Sequence, residues 1–311
     1  MQLLRHLARI GRRFDTPVVT LGNFDGVHQG HQEILRRLVD TARALGGQAI
    51  VLTFHPHPVA VLSPAGTPRL ITDWRSRIER IAAFGVDAII VQHFTPAFAA
   101  MGAETFVRRL LVDGLGVREV VVGHRVSFGH NRTGDADALR RFGKTFGFGV
   151  EVVGPVDVDG LPVSSSIIRR AIADGELDRA RALLGWMPSV GGRVAHGHHR
   201  GKALGFPTIN VRVGGLVLPP DGVYAVKVRI RGTDWCGVAN LGFNPTFGDH
   251  ARSLEAHLFD FDGTLYGKRV EIGFVQRLRG ERKFPNPQAL AEQIARDCAA
   301  AREALNRAGH V

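Results

Sequence analysis

The chain has 311 residues, 44% of them hydrophobic and 22% charged, with 38 glycines scattered between apolar segments. At roughly 150 residues per domain this predicts two folded domains and excludes a disordered or repetitive chain. The net charge of +11 favours anionic partners, either phosphorylated small molecules or nucleic acid. Cys236 and Cys298 stand far apart and outside any CxxC spacing, which excludes a disulfide framework and a thiolate metal site and fits a reducing compartment.

The opening "MQLLRHLARIGRRFD" interleaves arginines with apolar residues and lacks the apolar core of a signal peptide. No apolar run is long enough to span a bilayer, so a cytoplasmic protein with no membrane partner is expected. From Pro17 onward, "VVTLG", "QAIVLTF", "VDAIIVQHF", "REVVVG" and "VEVVGPV" alternate with the amphipathic stretches "HQEILRRLVDTARALG", "RSRIERIAAFG", "AETFVRRLLVDGLG" and "ADALRRFGKTFG". That alternation predicts a parallel sheet with helices on both faces and ligands at the carboxyl ends of its strands. The stretch Ser164 to Gly185 carries apolar residues at helical spacing, and the pattern changes after it, predicting domains 1–185 and 186–311. Beyond the boundary come "GRVAHG", "FPTINVRV", "GVYAVKVRIRG", "TDWCGVANLG", "SLEAHLFDF" and "KRVEIGFVQRL", read as an antiparallel barrel or sandwich. "NPQALAEQIARDCAAAREALNRAG" predicts a terminal helix starting at Asn-Pro.

The first candidate site is "LGNFDGVHQGH", Leu21 to His31, a strand, turn and helix start. Gly22 and Gly26 permit a tight backbone, and Gly30 permits close approach between His28 and His31. Backbone N–H groups at a helix start and two imidazoles three residues apart can hold a phosphate chain. A zinc site is disfavoured because no third ligand is near and the HExxH glutamate is missing. No GxGxxG follows the strand, and Gly201-Lys202 lacks the rest of a P-loop. "VSSSIIRR" offers Ser164, Ser165 and Ser166 ahead of Arg169, a second place for phosphate or a simple helix cap. In the second half, "GRVAHGHHRGKALGFPTINV" crowds glycines and cations suited to a triphosphate. Thr208 and Asn210, two apart on an extended strand, face one side and offer neutral oxygens that a hard cation accepts, with Ile209 facing away. His196, His198 and His199 read as loop residues in preference to a metal tract.

In this order, "GNFDGVHQGH", "TFHPHP" and "VSSSIIR", followed by "PTIN", "GVYAV", "GVANLGFNPTF", "LYG" and "RLRGERKF", resemble the bacterial bifunctional riboflavin kinase/FAD synthetase family over nearly the whole chain. The resemblance implies an α/β fold: a Rossmann-like nucleotidyltransferase domain with a parallel sheet, then an antiparallel β-barrel kinase domain with a terminal helix. It implies ATP binding for adenylyl transfer by Gly22, Asn23, Phe24, Asp25, Gly30, Ser164, Ser165, Ser166 and Arg169, with catalytic roles for His28 and His31. Phe54, His57 and Phe128 would lie near the flavin of that site. One departure is "GHRVSFG", where Arg125 and Val126 stand in place of the family's Asp-Phe pair and would alter FMN binding.

For the kinase half, the resemblance implies ATP binding by Gly197, Lys202, Gly205, Phe206 and Pro207, and Mg2+ held at Thr208 and Asn210. It also implies Glu255 as the base for the riboflavin 5′-hydroxyl, and Arg279 and Glu281 around the nucleotide or flavin. The implied partners are riboflavin, FMN, FAD and ATP with Mg2+, without nucleic acid, and the oligomeric state is left open.

Two rival readings fail on the residues. "LFDFDGTL" matches the first motif of haloacid-dehalogenase phosphatases, but only 47 residues follow Thr264, too few for the domain that must come next. Asp262-Gly263 reads better as a turn between two strands. A nucleic-acid-binding protein fits the charge, yet the basic residues are dispersed, aromatics are 7%, and no RRM, KH or helix-turn-helix pattern emerges.

Overall fold

The computed structural model describes residues 1–5, 14–196, 205–243 and 252–309. It divides the chain into two compact units, Met1–Pro68 with Trp74–Ser165, and Arg69–Asp73 with Ser166–Val311.

In the first unit, strands β1 (Gln2–Arg5), β2 (Pro17–Leu21), β3 (Gln48–His55), β4 (Ala88–His93), β5 (Glu119–Gly123) and β6 (Gly149–Val153) form one sheet in the order β1-β4-β3-β2-β5-β6. Every pairing is parallel, and β7 (Asp157–Val158) and β8 (Leu161–Pro162) form a separate antiparallel pair. The helices are α1 (Gln29–Ala44), α2 (Pro58–Leu62), α3 (Trp74–Ala82), α4 (Pro96–Ala99), α5 (Ala103–Phe106), continued as a π-wound segment Val107–Leu115, and α6 (Ala136–Phe146). Strand alternation assigns the two faces. Val19, Leu21, Ile50, Leu52, Ile90 and Val122 pack on Phe106, Leu111 and Leu139, whereas Val18, Val51, Ile89 and Val121 pack on Leu35, Leu38 and Ile81. Each such side chain, fully buried, is worth about 1.5–3 kcal/mol. Edge strand β1 lies in the opening segment that sequence periodicity left unassigned and pairs in parallel with β4.

The chain leaves β2 for β3 on one side and reaches β5 on the other, so the strand order reverses between β2 and β5. A crevice opens at the carboxyl ends of strands at such a point.

In the second unit, β9 (Ser189–Ala195), β10 (Ile209–Arg212), β11 (Gly222–Ile230), β12 (Thr233–Phe243), β13 (Arg252–Leu258) and β14 (Arg269–Arg279) close a barrel in the order β10-β13-β12-β11-β14-β9, all antiparallel. A barrel, not a sandwich, therefore resolves the alternatives left by the strand pattern. Its interior holds Val211, Tyr224, Val226, Leu241, Leu254, Ala256, Ile272 and Phe274. The terminal helix α9 (Pro287–Arg307) starts on Asn286, whose side chain accepts from the Ala289 N–H at 2.8 Å, and packs Ala301, Ala304 and Leu305 on Val223, Ala225 and Val238 of the outer barrel face.

Ser164 to Gly185 forms not one helix but two, α7 (Ser165–Asp174) and α8 (Leu177–Leu184). Gly175, at φ 80°, ends the first, and Leu177 of the second is buried in the barrel cluster, which is why these helices group with the barrel. Asp262-Gly263 lies in the connection between β13 and β14, which are not neighbours in the barrel, and that connection turns at Asp260, φ 56°.

Candidate active sites

The β2-to-α1 turn sits on one lip of the crevice. Phe24 (φ 50°), Gly26 (φ 87°) and Val27 (φ 39°) all take left-handed backbone, a conformation that costs of order 1–3 kcal/mol at each non-glycine residue. Surrounding groups hold it. The Arg77 guanidinium of α3 donates to the Asn23 carbonyl at 3.1 Å and stands 3.7 Å from the Asp25 carboxylate, with both side chains buried at 2% and 3% exposure. Ser165 Oγ donates to the Asp25 carbonyl at 3.1 Å, and Gln32 Nε2 to the Val27 carbonyl at 2.9 Å. Arg77 lies over the Trp74 ring at 5.6 Å. Asp25 is thus part of the wall behind the turn, held by a buried charge pair.

His28 caps α1: its Nδ1 accepts the His31 N–H at 3.3 Å. With Nδ1 accepting, Nε2 is the ring nitrogen that carries a donor proton. The His28 and His31 rings stack at 3.6 Å and 14°. Two imidazolium rings would repel at that spacing. His31 accordingly stays neutral, its pKa held well below the usual imidazole value first by burial and then by the charges of His28 and Arg77. Buried His31 Nδ1 and Asn23 Oδ1 have no hydrogen-bond partner among the described residues, as expected of polar atoms shaped for a ligand. Gly30 lies directly against the His28 ring, where a Cβ would sit at 3.4 Å.

A cleft of about 890 Å³ opens here, lined by Gly22, Asn23, Phe24, His28, Gly30, His31, Ser164 and Ser165 on one side. Its opposite wall is aromatic. Phe54 meets Phe94 at 5.9 Å and Phe98 at 6.0 Å; Phe98 meets Phe106 at 6.1 Å, which meets Phe128 at 5.4 Å. All five rings line the cleft, as do Arg125 and Val126. The expected residues Phe54 and Phe128 therefore come together, along with three phenylalanines that sequence reading did not single out. His57 instead caps α2, accepting the Val59 N–H at 3.3 Å. Ser166 and Arg169 fall in the other compact unit, where Arg169 Nε donates to the Arg69 carbonyl at 3.0 Å.

On the barrel, register decides the second site. Asn210 of β10 lies opposite Glu255 of β13, which lies opposite Asn240 of β12. Their neighbours Val211, Leu254 and Leu241 point into the core, so this polar row is on the outer face. Ile209 packs toward the core, as alternation predicts, leaving Thr208 on the Asn210 side. Asn210 is 5% exposed, and its Oδ1 has no hydrogen-bond partner among the described residues. A buried amide oxygen beside a carboxylate suits a hard divalent cation.

Phe206 stacks edge-on with His257 at 5.5 Å, while the Pro207 carbonyl lies 2.8 Å from His257 Nδ1. Gly205 takes φ 85°. Gly197, Lys202, His198 and His199 lie outside the described residues. Glu281 sits against Gly242, where an added Cβ would overlap its carboxylate. Arg279 is engaged by α9: its Nε and Nη2 bond the Asp297 carboxylate at 2.7–3.1 Å, and both side chains are largely buried. Its visible task is to pin the terminal helix to β14.

No helix among the described residues is long and apolar enough to cross a membrane. Comparison with known proteins matches residues 12–167 to the FAD synthetase family and residues 184–305 to the riboflavin kinase family. The bifunctional riboflavin kinase/FMN adenylyltransferase of Pseudomonas fluorescens is 42% identical, with 100% of each chain covered. That of Haemophilus influenzae is 39% identical, with 98% of this chain and 100% of the other covered. The Escherichia coli K12 protein of the same name is 37% identical, with 92% of each covered. A crystal structure described as a macrolide-efflux protein from Streptococcus pneumoniae superposes with TM-score 0.85 at 31% identity, covering 97% of this chain and 99% of that one. With both family models matched in order and relatives aligned from end to end, the chain belongs to the bifunctional riboflavin kinase/FMN adenylyltransferase family.

Proposed function

We propose that the protein carries riboflavin to FAD in two ATP-dependent steps, adenylylating FMN in the cleft of the sheet unit and phosphorylating riboflavin on the outer face of the barrel. Each step has its own set of residues. The observation that carries the reading is the pairing of two different polar arrays, the stacked His28–His31 turn and the Asn210–Glu255–Asn240 row, one in each unit.

In the barrel, Glu255 accepts the proton of the riboflavin 5′-hydroxyl as that oxygen bonds to the γ-phosphorus of ATP and the bond to ADP breaks. Thr208 and Asn210 are the residues that would hold Mg2+, and the unpartnered Asn210 Oδ1 fits that role. When bound, the ion supplies charge neutralisation of the phosphate oxygens. Phe206 and Pro207 form the edge of the nucleotide site.

In the cleft, a phosphate oxygen of FMN bonds to the α-phosphorus of ATP, and the bond to the departing pyrophosphate breaks. No residue need form a covalent intermediate. The Nε2–H of His28, the ring of His31 and the N–H groups at the start of α1 orient and neutralise the phosphate chain, while the phenylalanine wall receives the flavin ring. A neutral His31 suits a donor that binds without carrying charge. Ser164 and Ser165 close the phosphate side. ATP is abundant in the cytoplasm, where two cysteines outside any disulfide also belong, and we assign the protein there.

Incubating the protein with riboflavin, ATP and Mg2+ and separating the flavins by chromatography tests the assignment. FMN should appear first and FAD after it. FMN accumulating without FAD under ample ATP would remove the adenylyl transfer.

A further inference from the structure

The cleft of the sheet unit carries ionisable groups of one sign. His28, His31, His124, Arg125, His130 and Arg132 line it, and no aspartate or glutamate does so among the described residues. The nearby carboxylate of Asp25 is buried against Arg77. Elsewhere in this unit several exposed arginines meet acids, as Arg36 meets Glu33 at 2.9 Å and Arg140 meets Asp137 at 2.8 Å. The guanidinium groups of Arg125 and Arg132 have no hydrogen bond or ion pair with another described residue.

Both arginines lie on the segment that leaves β5, across the strand-order reversal from the β2 turn. That segment is held firmly. Phe128 and Gly134 exchange backbone hydrogen bonds of 3.0 and 2.9 Å, and the His130 N–H donates to the Met101 carbonyl at 2.7 Å. A Cβ on Gly129 would come within 2.7 Å of the Ala103 backbone. Asn131 and Arg132 take consecutive left-handed conformations, φ 53° and 58°, without being glycine. Strain of this kind persists where surroundings over-determine the backbone and the resulting geometry is used. Here it sets Arg132 on the cleft wall beside Phe128.

FMN differs from riboflavin by one phosphate, and an oxygen of that phosphate is the attacking atom. We propose that Arg125 and Arg132 grip the 5′-phosphate of FMN and thereby make this cleft choose a phosphorylated flavin over an unphosphorylated one. The inference rests on the cleft being the adenylylation site. A guanidinium without a protein acid is free to bond phosphate oxygens in bidentate fashion, and a cleft without carboxylates sets no repulsion against a second polyanion beside ATP. Riboflavin, having no charge, gains nothing from either arginine.

The test is steady-state FAD formation from FMN and Mg–ATP by the full chain, with Arg125→Gln, Arg132→Gln and the double variant. Lumiflavin, a neutral flavin ring with no hydroxyl chain for the kinase to phosphorylate, serves as competitor. Loss of hydrogen bonds to a charged group should raise the KM for FMN by about tenfold or more in the double variant. The kcat should stay within about threefold and the lumiflavin Ki within about twofold, because binding is lost uniformly in ground and transition state. Arg125→Lys, which keeps the charge, should recover part of the KM. An unchanged KM, or equal rises in KM and Ki, would overturn the proposal, the second outcome meaning that the arginines only shape the wall. Thermal unfolding of the sheet unit in the same preparations reports folding, and the single variants decide the matter if the double variant does not fold. Wild-type protein that makes FMN but no FAD would instead defeat the assignment of the cleft, before any variant is read.

Discussion

The two proposed ATP sites solve related problems with opposite materials. The cleft of the sheet unit is built from imidazoles, guanidiniums, backbone N–H groups and rings, with no carboxylate among its described lining residues. The barrel site places a carboxylate, Glu255, between two asparagines on adjoining strands. The chemistry accounts for the contrast. A flavin phosphate is already an anion when it attacks and needs alignment and screening, whereas a ribityl hydroxyl must lose its proton and needs a base beside a cation site. Backbone support differs as well. The cleft rests on a strained turn clamped by a buried arginine, and the barrel site rests on regular strand register.

Removing the proposed base should separate the sites most sharply. Glu255→Gln should lower FMN formation by about 10²–10⁴ while FAD formation from supplied FMN continues, measured as two separate turnovers; equal loss of both would collapse the distinction. Next, Arg77→Met removes the cation beside buried Asp25 and the donor to the Asn23 carbonyl, at a cost of about 3–5 kcal/mol. Thermal unfolding should show the sheet unit melting earlier, with FAD formation lost and kinase turnover retained. His28→Ala removes a donor from the phosphate turn, for about 10²–10³ in FAD-forming kcat, again with the kinase spared. A normal rate in that variant would leave the stacked pair with a merely structural task.

Acid should weaken the sheet unit through His31. Its native pKa is lowered, so below the ordinary imidazole value of about 6.5 the unfolded chain takes up a proton that the native ring refuses. The associated stability is complete above that pH and falls as pH drops toward the native pKa. Urea unfolding at pH 7 and pH 5 should show a smaller drop in His31→Gln than in the wild type. The smallest expected effect lies on the barrel: Asn286→Ala removes the cap of α9 and should cost about 1 kcal/mol, read as a small shift in the melting of that unit.

Local chemistry was enough to foresee much of this arrangement. Alternating apolar runs announced the parallel sheet, Asn286-Pro287 announced the last helix, and the glycine and histidine spacing of Leu21 to His31 announced a tight turn from strand into helix. Thr208 and Asn210 were legible because strand alternation is a local rule. Residues whose roles depend on distant partners were not. Arg77 occupies the same helix face as Ile81, and a cation on an apolar stripe is a signal, but only the packed structure supplies Asp25 and the Asn23 carbonyl as its partners. Asp297 likewise looks like an ordinary helix acid until Arg279 meets it.

By itself the sequence determined the classes of the two units, the family and the types of side chain available to bind phosphate and flavin. Tertiary structure alone decided that Ser164 to Gly185 breaks into two helices grouped with the barrel, that Arg279 faces α9, and that five phenylalanines form one wall. It also decided the acid-free lining around Arg125 and Arg132. The reason is physical: periodicity and turn preferences act over a few neighbours, whereas a cleft's charge is the sum of residues that crossovers bring together from remote parts of the chain.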